Sequence, residues 1–395
     1  MLSISYLSRH LFALPLLLLG FSSFSQTVVF EERYYPNGKI MEKFQVFIEN
    51  GDTIRKGQYF FYFPEGLPMQ EGYFRDNLPD SLWVNYYRNG FRKSLYRYSL
   101  GKKQGLFQIW NDDGSLYQVG SYKNDFLDGT LSTYHHNGQI DSKSEYRTGM
   151  LNGKSEVYSH EGFVLLKAYY KNDTLNGPWE SYYQTGELNY RGHKLNGEYN
   201  DTLYTYYKNG KLQRKAFYSN GLIDGKVVGY YETGALMNVS FFAKGVLTGS
   251  YEEYYINGMI AERGSYENGK RVGEWVNYYP TGVMYTGGKF SNDLFSGLWK
   301  VFYPNGLLKQ IGGYFNGKST GHWMFFDEFG QVNLAGYYVN GKAEGFWTVF
   351  YPHGDVAGRI FFRSGVQSGP AWLYQPDGTI TREMRLNVLP PVLRR

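Results

Sequence analysis

One glycine recurs every 24 residues along most of this 395-residue chain, and that spacing constrains the fold more than any other feature. Gly66, Gly90, Gly114, Gly138, Gly162, Gly186, Gly210, Gly234, Gly258, Gly282, Gly306, Gly330, Gly354 and Gly378 are separated by thirteen successive intervals of 24, with no insertion. An earlier copy, Tyr34-Tyr35-Pro36-Asn37-Gly38, precedes Gly66 by 28 residues. A period held over more than 300 residues requires each unit to meet its neighbours in the same way. That is the property of a solenoid-like array, not of a chain cut into unrelated domains.

With the glycine as position 0, the columns of the repeat show what each place demands. Position −4 is aromatic in all fourteen in-register copies, from Tyr62 and Tyr86 to Phe350 and Tyr374. Position +2 is aliphatic or Met in twelve, +6 is small in eleven and +8 is aromatic in twelve. Positions +2, +6 and +8 share a parity, so on a regular strand they face one way. No helical stripe competes with that alternation. Proline before the glycine pair, as in Tyr303-Pro304-Asn305-Gly306, fixes φ near −65° and excludes a type I′ turn there. A type I turn followed by a left-handed glycine fits instead, and it sets −4 opposite +2. A second turn falls at +11, where nine copies have Gly and four have Asn or Asp. These residues tolerate the left-handed conformation, so segments such as Asn268-Gly269-Lys270 read as return hairpins.

Each unit is therefore two antiparallel strands and two tight turns. The expected fold is all-β: an elongated array of about fifteen hairpins forming one long twisted antiparallel meander. Position −9 is Gly in twelve copies, with Ser81 and Asp201 departing, and Lys194 departs from the aromatic +8 column. These departures point to altered packing near residues 190–204. Position −7 is Trp at Trp83, Trp179, Trp275, Trp299, Trp323 and Trp347. A Trp there sits beside the small +6 residue of the preceding strand, and reconciling it with −4 requires a β-bulge near −6 or −5.

The N-terminus differs. Arg9 and His10 precede the apolar run LFALPLLLLGF at 11–21, followed by Ser22, Ser23 and Ser25. That order is a secretory signal peptide with cleavage near Ser25/Gln26, and eleven apolar residues are too few to span ~30 Å of hydrocarbon. The organisation reads as a signal peptide at 1–25, a degenerate repeat or cap at 26–56, the array at 57–386 and a tail at 387–395. The protein is expected to be exported and periplasmic, secreted or envelope-associated, with no transmembrane segment in its mature form. Zero Cys removes disulfides and thiolate chemistry, and a net charge of +5 does not call for a nucleic-acid partner.

The segment Gly264-Ser265-Tyr266-Glu267-Asn268-Gly269-Lys270-Arg271-Val272-Gly273-Glu274-Trp275 resembles the MORN repeat (membrane occupation and recognition nexus). The Tyr-Tyr-x-Asn-Gly extension is similar to the bacterial variant of that family, often labelled as antitoxin-type. The resemblance covers about 34–385 and implies an extended sheet of hairpins serving interaction or assembly. Its proposed lipid binding would favour a strongly basic face, which this chain lacks.

Candidate chemistry is sparse. Gly312-Gly313-Tyr314-Phe315-Asn316-Gly317-Lys318-Ser319 matches GxxxxGK[ST], but phosphate binding needs that loop to open a helix, and here it is the ordinary hairpin of the repeat. His136 and His160 share the −2 position in adjacent copies, two strands or ~9.6 Å apart, too far for shared zinc ligation. The acidic pairs Asp112-Asp113 and Glu252-Glu253 have no inserted loop or cleft around them. No catalytic residue, metal or cofactor is expected. The candidate binding feature is an exposed aromatic ladder comprising Tyr182, Tyr206, Tyr230, Tyr254, Tyr278, Trp275, Trp299, Trp323 and Trp347. A single-layer sheet leaves part of such a ladder accessible. The chain thus reads as a non-catalytic scaffold for a protein partner or for self-association. Recognition of an envelope glycan by stacked rings is the alternative, and an antitoxin or immunity role is carried by resemblance alone.

Overall fold

The computed structural model describes residues 28–49 and 52–384; the signal-peptide segment at 1–25 and the tail at 387–395 lie outside the described residues. Among the described residues there is no helix. Thirty-three strands form one antiparallel sheet that does not close. Three strands are each interrupted by a single residue, at Gln104, Asp128 and Asn200, so the segments make the fifteen hairpins that the period requires. No helix here is long and apolar enough to cross a membrane.

The turns follow from the residues that occupy them. At each position 0 the glycine has φ between about +79° and +96° and its amide donates to the carbonyl at −3, as from Gly90 to Tyr87 at 3.0 Å. The return turn has two left-handed residues in succession, such as Asn268 at φ 50° and Gly269 at φ 78°. That is the type I′ geometry whose twist matches the flanking strands.

The pairing places −4 opposite +2 throughout, for example Tyr278 opposite Met284 and Trp110 opposite Leu116. The bulge lies one place later than expected, between −5 and −4, and its extra residue is at +3 on the partner strand. This extra residue reverses the alternation, so +2 does not share a face with +6 and +8. A second irregularity sets three residues opposite one: Gly273, Glu274 and Trp275 lie across from Gly264. The −9 residue supplies the left-handed φ that this bulge needs, and Ser81 (61°) and Asp201 (73°) adopt it without being glycine.

The sheet therefore has two unlike faces. On one, Trp at −7 lies flat over the +6 glycine: a Cβ added to Gly264 would meet the Trp275 ring at 2.1 Å, and one on Gly336 would meet Trp347 at 2.0 Å. On the other, Tyr at −4 directs its hydroxyl to carboxylates at −6, as Tyr182 to Glu180 and Tyr254 to Glu252, both at 2.6 Å.

The described residues form two compact units, one ending at Phe126 and the other beginning at Leu127. In the first, Phe44, Val46, Tyr59, Phe74 and Trp83 make the buried cluster. In the second, Trp275, Phe290 and Trp299 form one cluster and Trp323, Phe325, Tyr338, Ala343, Trp347 and Phe362 another, with Tyr314 packed against both. Edge-on ring pairs recur through these clusters, such as Tyr266–Trp275 at 5.1 Å and Tyr338–Trp347 at 4.9 Å, each contributing roughly 0.5–1.5 kcal/mol beyond area burial.

Successive repeats are also stitched at both ends. At the return turns the +11 amide donates to a carbonyl 22 residues earlier, as Gly269 to Leu247 at 2.8 Å. At the other end the Tyr at −3 donates its hydroxyl to the −4 carbonyl of the next repeat, as Tyr255 to Tyr278 at 2.8 Å and Tyr35 to Tyr62 at 2.7 Å. Near 190–204, where altered packing was expected, the strand splits at Asn200 and Lys194 places its ammonium 3.3 Å from the centre of the Tyr199 ring.

Candidate interaction groove

The aromatic ladder does not form one exposed surface. Trp275, Trp299, Trp323 and Trp347 are 1 %, 7 %, 2 % and 0 % exposed, because each covers glycine backbone and is covered in turn by aromatic +8 residues. They cannot be an exposed ladder. Tyr182, Tyr206, Tyr230, Tyr254 and Tyr278 are half-buried and belong to the opposite face. The odd spacing of −7 and −4 sets them on opposite faces. A bulge at −6 or −5 would have merged them, but the extra residue lies at +3 on the partner strand and leaves them apart.

Other singled-out residues also find their places. Gly312 to Ser319 forms the end of one strand, a return turn and the start of the next (Leu308–Phe315 and Lys318–Phe326), with Gly312 under the Trp323 ring. His135 stands at the stitching position, its Nε2 3.3 Å from the Tyr158 carbonyl and its ring edge-on to His160 at 5.3 Å. Glu252 and Glu253 point to opposite faces: Tyr254 donates to the first and Tyr251 to the second, at 2.6 and 2.9 Å.

What the tryptophan face does offer is a groove of about 630 Å³ in the second unit. Trp275, Phe290, Phe295, Trp299 and Tyr314 supply its aromatic walls, and Glu253, Glu262, Asn277, Thr286 and Gln310 its polar row. The polar row arises from two columns of the repeat, −5 and +4, which pair directly across each hairpin. Glu253 faces Glu262, Asn277 faces Thr286 and Val301 faces Gln310. Elsewhere these columns hold apolar pairs such as Phe325 with Leu334. The fold does not demand polarity there.

Two carboxylates directly opposite on a sheet repel. Burial holds the Glu262 carboxyl above its usual range, the nearby Glu253 pushes it further, and Arg271 acts weakly the other way. Burial together with the hydrogen bond to Glu253 raises the Tyr251 hydroxyl well above the ordinary tyrosine value. Arg271 is engaged elsewhere: its Nε lies 3.3 Å from Asp293 Oδ1, and its guanidinium rests 4.1 Å from the centre of the Phe290 ring. Among the described residues, neither Glu253 nor Glu262 has an ion-pair partner within 4.0 Å. No group of three or more His, Cys, Asp or Glu among these residues is placed to hold a metal.

The family model for the MORN repeat variant matches residues 31–52, 103–124, 127–147, 175–193, 202–220, 247–268 and 295–316. This chain carries MORN-variant repeats. Two matched segments border the groove: 247–268 contributes Glu253 and Glu262, and 295–316 contributes Trp299, Gln310 and Tyr314. Within this chain the strands and turns recur, while the −5 and +4 columns that supply the polar row differ from copy to copy. No curated protein matches the sequence. Among solved structures, the crystal structure of TcdB2-TccC3 is similar at 10 % identity, over 89 % of this chain and 28 % of that one, with a TM-score of 0.17. A TcdB2-TccC3-TEV structure gives 11 %, 89 %, 22 % and 0.17. The form without the hypervariable C-terminal region gives 11 %, 88 %, 26 % and 0.15. The chain spans about a quarter of the length of these solved chains.

Proposed function

We propose that the protein is an exported, non-catalytic MORN-variant scaffold that docks a protein partner in the groove of its second unit. The observation that carries this reading is the groove itself: it is the place on the tryptophan face where an aromatic wall and an unpaired acidic pair stand together in one opening. The repeat supports the role mechanically. Stitched turns and buried indoles hold the groove walls in place, and a preorganised surface loses less entropy on binding. Export rests on the 1–25 segment, and cell fractionation checks it.

A glycan reading needs ring faces open for stacking, and the burial of the four tryptophans withdraws those platforms from it. The antitoxin reading has the resemblance as its support.

The test fills the groove. Thr286→Trp adds bulk between the walls and deletes one hydrogen bond, from Thr286 Oγ1 to the Lys300 carbonyl at 3.1 Å, while leaving the stitching bonds at both turns. Affinity capture with the wild-type chain should retain a protein that the Thr286→Trp chain loses, while the two unfold at similar temperatures. Identical retained proteins from both chains would contradict docking in the groove.

A further inference from the structure

The repeat provides an internal control for the groove, because equivalent positions recur with different residues. In the first unit, the −5 and +4 places around Gly38 are Arg33 and Glu42, paired directly across the hairpin. Arg33 Nη1 lies 3.0 Å from Glu42 Oε2, and Arg55, at −11 of the following repeat, approaches the other carboxylate oxygen at 4.0 Å. Arg55 also rests over two rings, 4.5 Å from the centre of Phe44 and 5.6 Å from that of Phe74.

Around Gly258 the same frame carries Glu253 at −5, Glu262 at +4 and Arg271 at −11 of the next repeat. Arg271 sits over its rings as Arg55 does, 4.1 Å from the centre of Phe290 and 5.9 Å from that of Trp275. Two of the three charged places are thus retained. The third has changed sign: a carboxylate stands where Arg33 supplies the cation. In the first unit the chain neutralises its own buried glutamate; in the second it presents two half-buried carboxylates, side by side, at the wall of a groove of about 630 Å³.

We infer that the groove receives an arginine side chain from a protein partner, its guanidinium bridging Glu253 and Glu262 as Arg33 pairs with Glu42. This rests on the docking function proposed above and names its chemistry. Charge complementarity selects a cation. The planar fork of arginine can address two carboxylates at once, where an ammonium acts as a point charge. The half-buried Phe295 and Tyr314 rings at the groove suit a flat, weakly hydrated cation better than a compact, strongly hydrated one. Tyr251 already donates to Glu253, which fixes that carboxylate and leaves its second oxygen for the incoming group.

The probe is a fluorescein-labelled Gly-Ser-Arg-Gly-Ser peptide, compared by fluorescence anisotropy with its citrulline and lysine counterparts on the intact chain. Citrulline keeps the shape of arginine and removes its charge. The expected result is saturable binding of the arginine peptide, at least tenfold weaker binding of the citrulline peptide, and intermediate binding of the lysine peptide. Glu253→Gln and Glu262→Gln should each weaken the arginine peptide at least tenfold while the unfolding midpoint is kept or raised. Equal binding of arginine and citrulline peptides, no saturable binding of either, or full binding by both Gln variants would overturn the inference. Its failure is separable from that of the docking function. If Thr286→Trp still abolishes capture of a partner while arginine and citrulline bind alike, the groove docks something else and the arginine assignment alone falls.

Discussion

The Arg33–Glu42 site and the Glu253–Glu262 site occupy the same places in the same repeat, yet one is internally neutralised and the other is not. The packing differs in a parallel way. Beside the first site, Phe44 at +6 faces Tyr59 at −7; beside the second, Gly264 faces Trp275. One frame accepts two medium rings or one large ring over bare backbone. The hydrogen-bonded turns do not distinguish the sites, since Tyr35 and Tyr255 make the same stitch. The repeat thus fixes geometry and leaves charge and ring size free to vary. Those free columns are where a function specific to this chain can be written.

The largest effect should come from the ring that the second region uses alone. Trp275→Ala removes a residue that is 1 % exposed and leaves Gly264 uncovered. A loss of about 3–5 kcal/mol is expected in denaturant unfolding. Tyr59→Ala should cost less, because Phe44 stays to fill part of the space. Equal costs would mean that the indole-on-glycine contact carries no special weight.

Next, Arg33→Ala leaves Glu42, which is 7 % exposed, with the Tyr59 hydroxyl and one cation, Arg55 at 4.0 Å. Removing one partner of a fully buried pair costs more, but the Arg33 side chain is about half exposed, so about 2 kcal/mol is expected. A change within error would show that the first site is not held by its charges. Smaller again, Tyr35→Phe and Tyr255→Phe each delete one hydroxyl-to-carbonyl bond, at about 1 kcal/mol. These two should agree; a clear difference would mean that the regions are not mechanically equivalent.

The smallest effect concerns pH. The Glu262 carboxyl is held above its ordinary value of 4.5 in the folded chain, so the folded state binds its proton more tightly than the unfolded state does. The associated stability is present in full below that ordinary value and is lost as pH rises through the raised one. Glu262→Gln should therefore flatten the stability profile above about pH 4.5 and leave the variant slightly more stable at neutrality. The gain should be under about 1 kcal/mol once solvent screening at this half-buried group is counted. A steeper profile in the variant would reverse the assigned sign.

Much of this architecture was legible in the residues themselves. Gly at 0 and Asn-Gly at +10 and +11 dictated both turns through their tolerance of positive φ, and the type I turn correctly set −4 opposite +2. Trp over small +6 residues followed from a large ring facing bare backbone. The aromatic faces were not legible, because a single bulge residue at +3 inverts the alternation and leaves no distinctive residue type to announce itself. The stitching role of the −3 tyrosines was hidden for a different reason: its acceptor is a main-chain carbonyl in the next repeat, which no side-chain pattern reports. The Glu253–Glu262 pair could have been found by reading −5 and +4 together in every copy. Glu252 and Glu253, the neighbours in sequence, point instead to opposite faces.

Equivalent places in the repeat do equivalent electrostatic work, so the second site lacks the cation that the first contains. Glu253→Arg restores that cation. Thermal unfolding of this variant should show a higher midpoint than the wild type, and the variant should no longer bind the arginine peptide. A lower midpoint with peptide binding intact would contradict the claim.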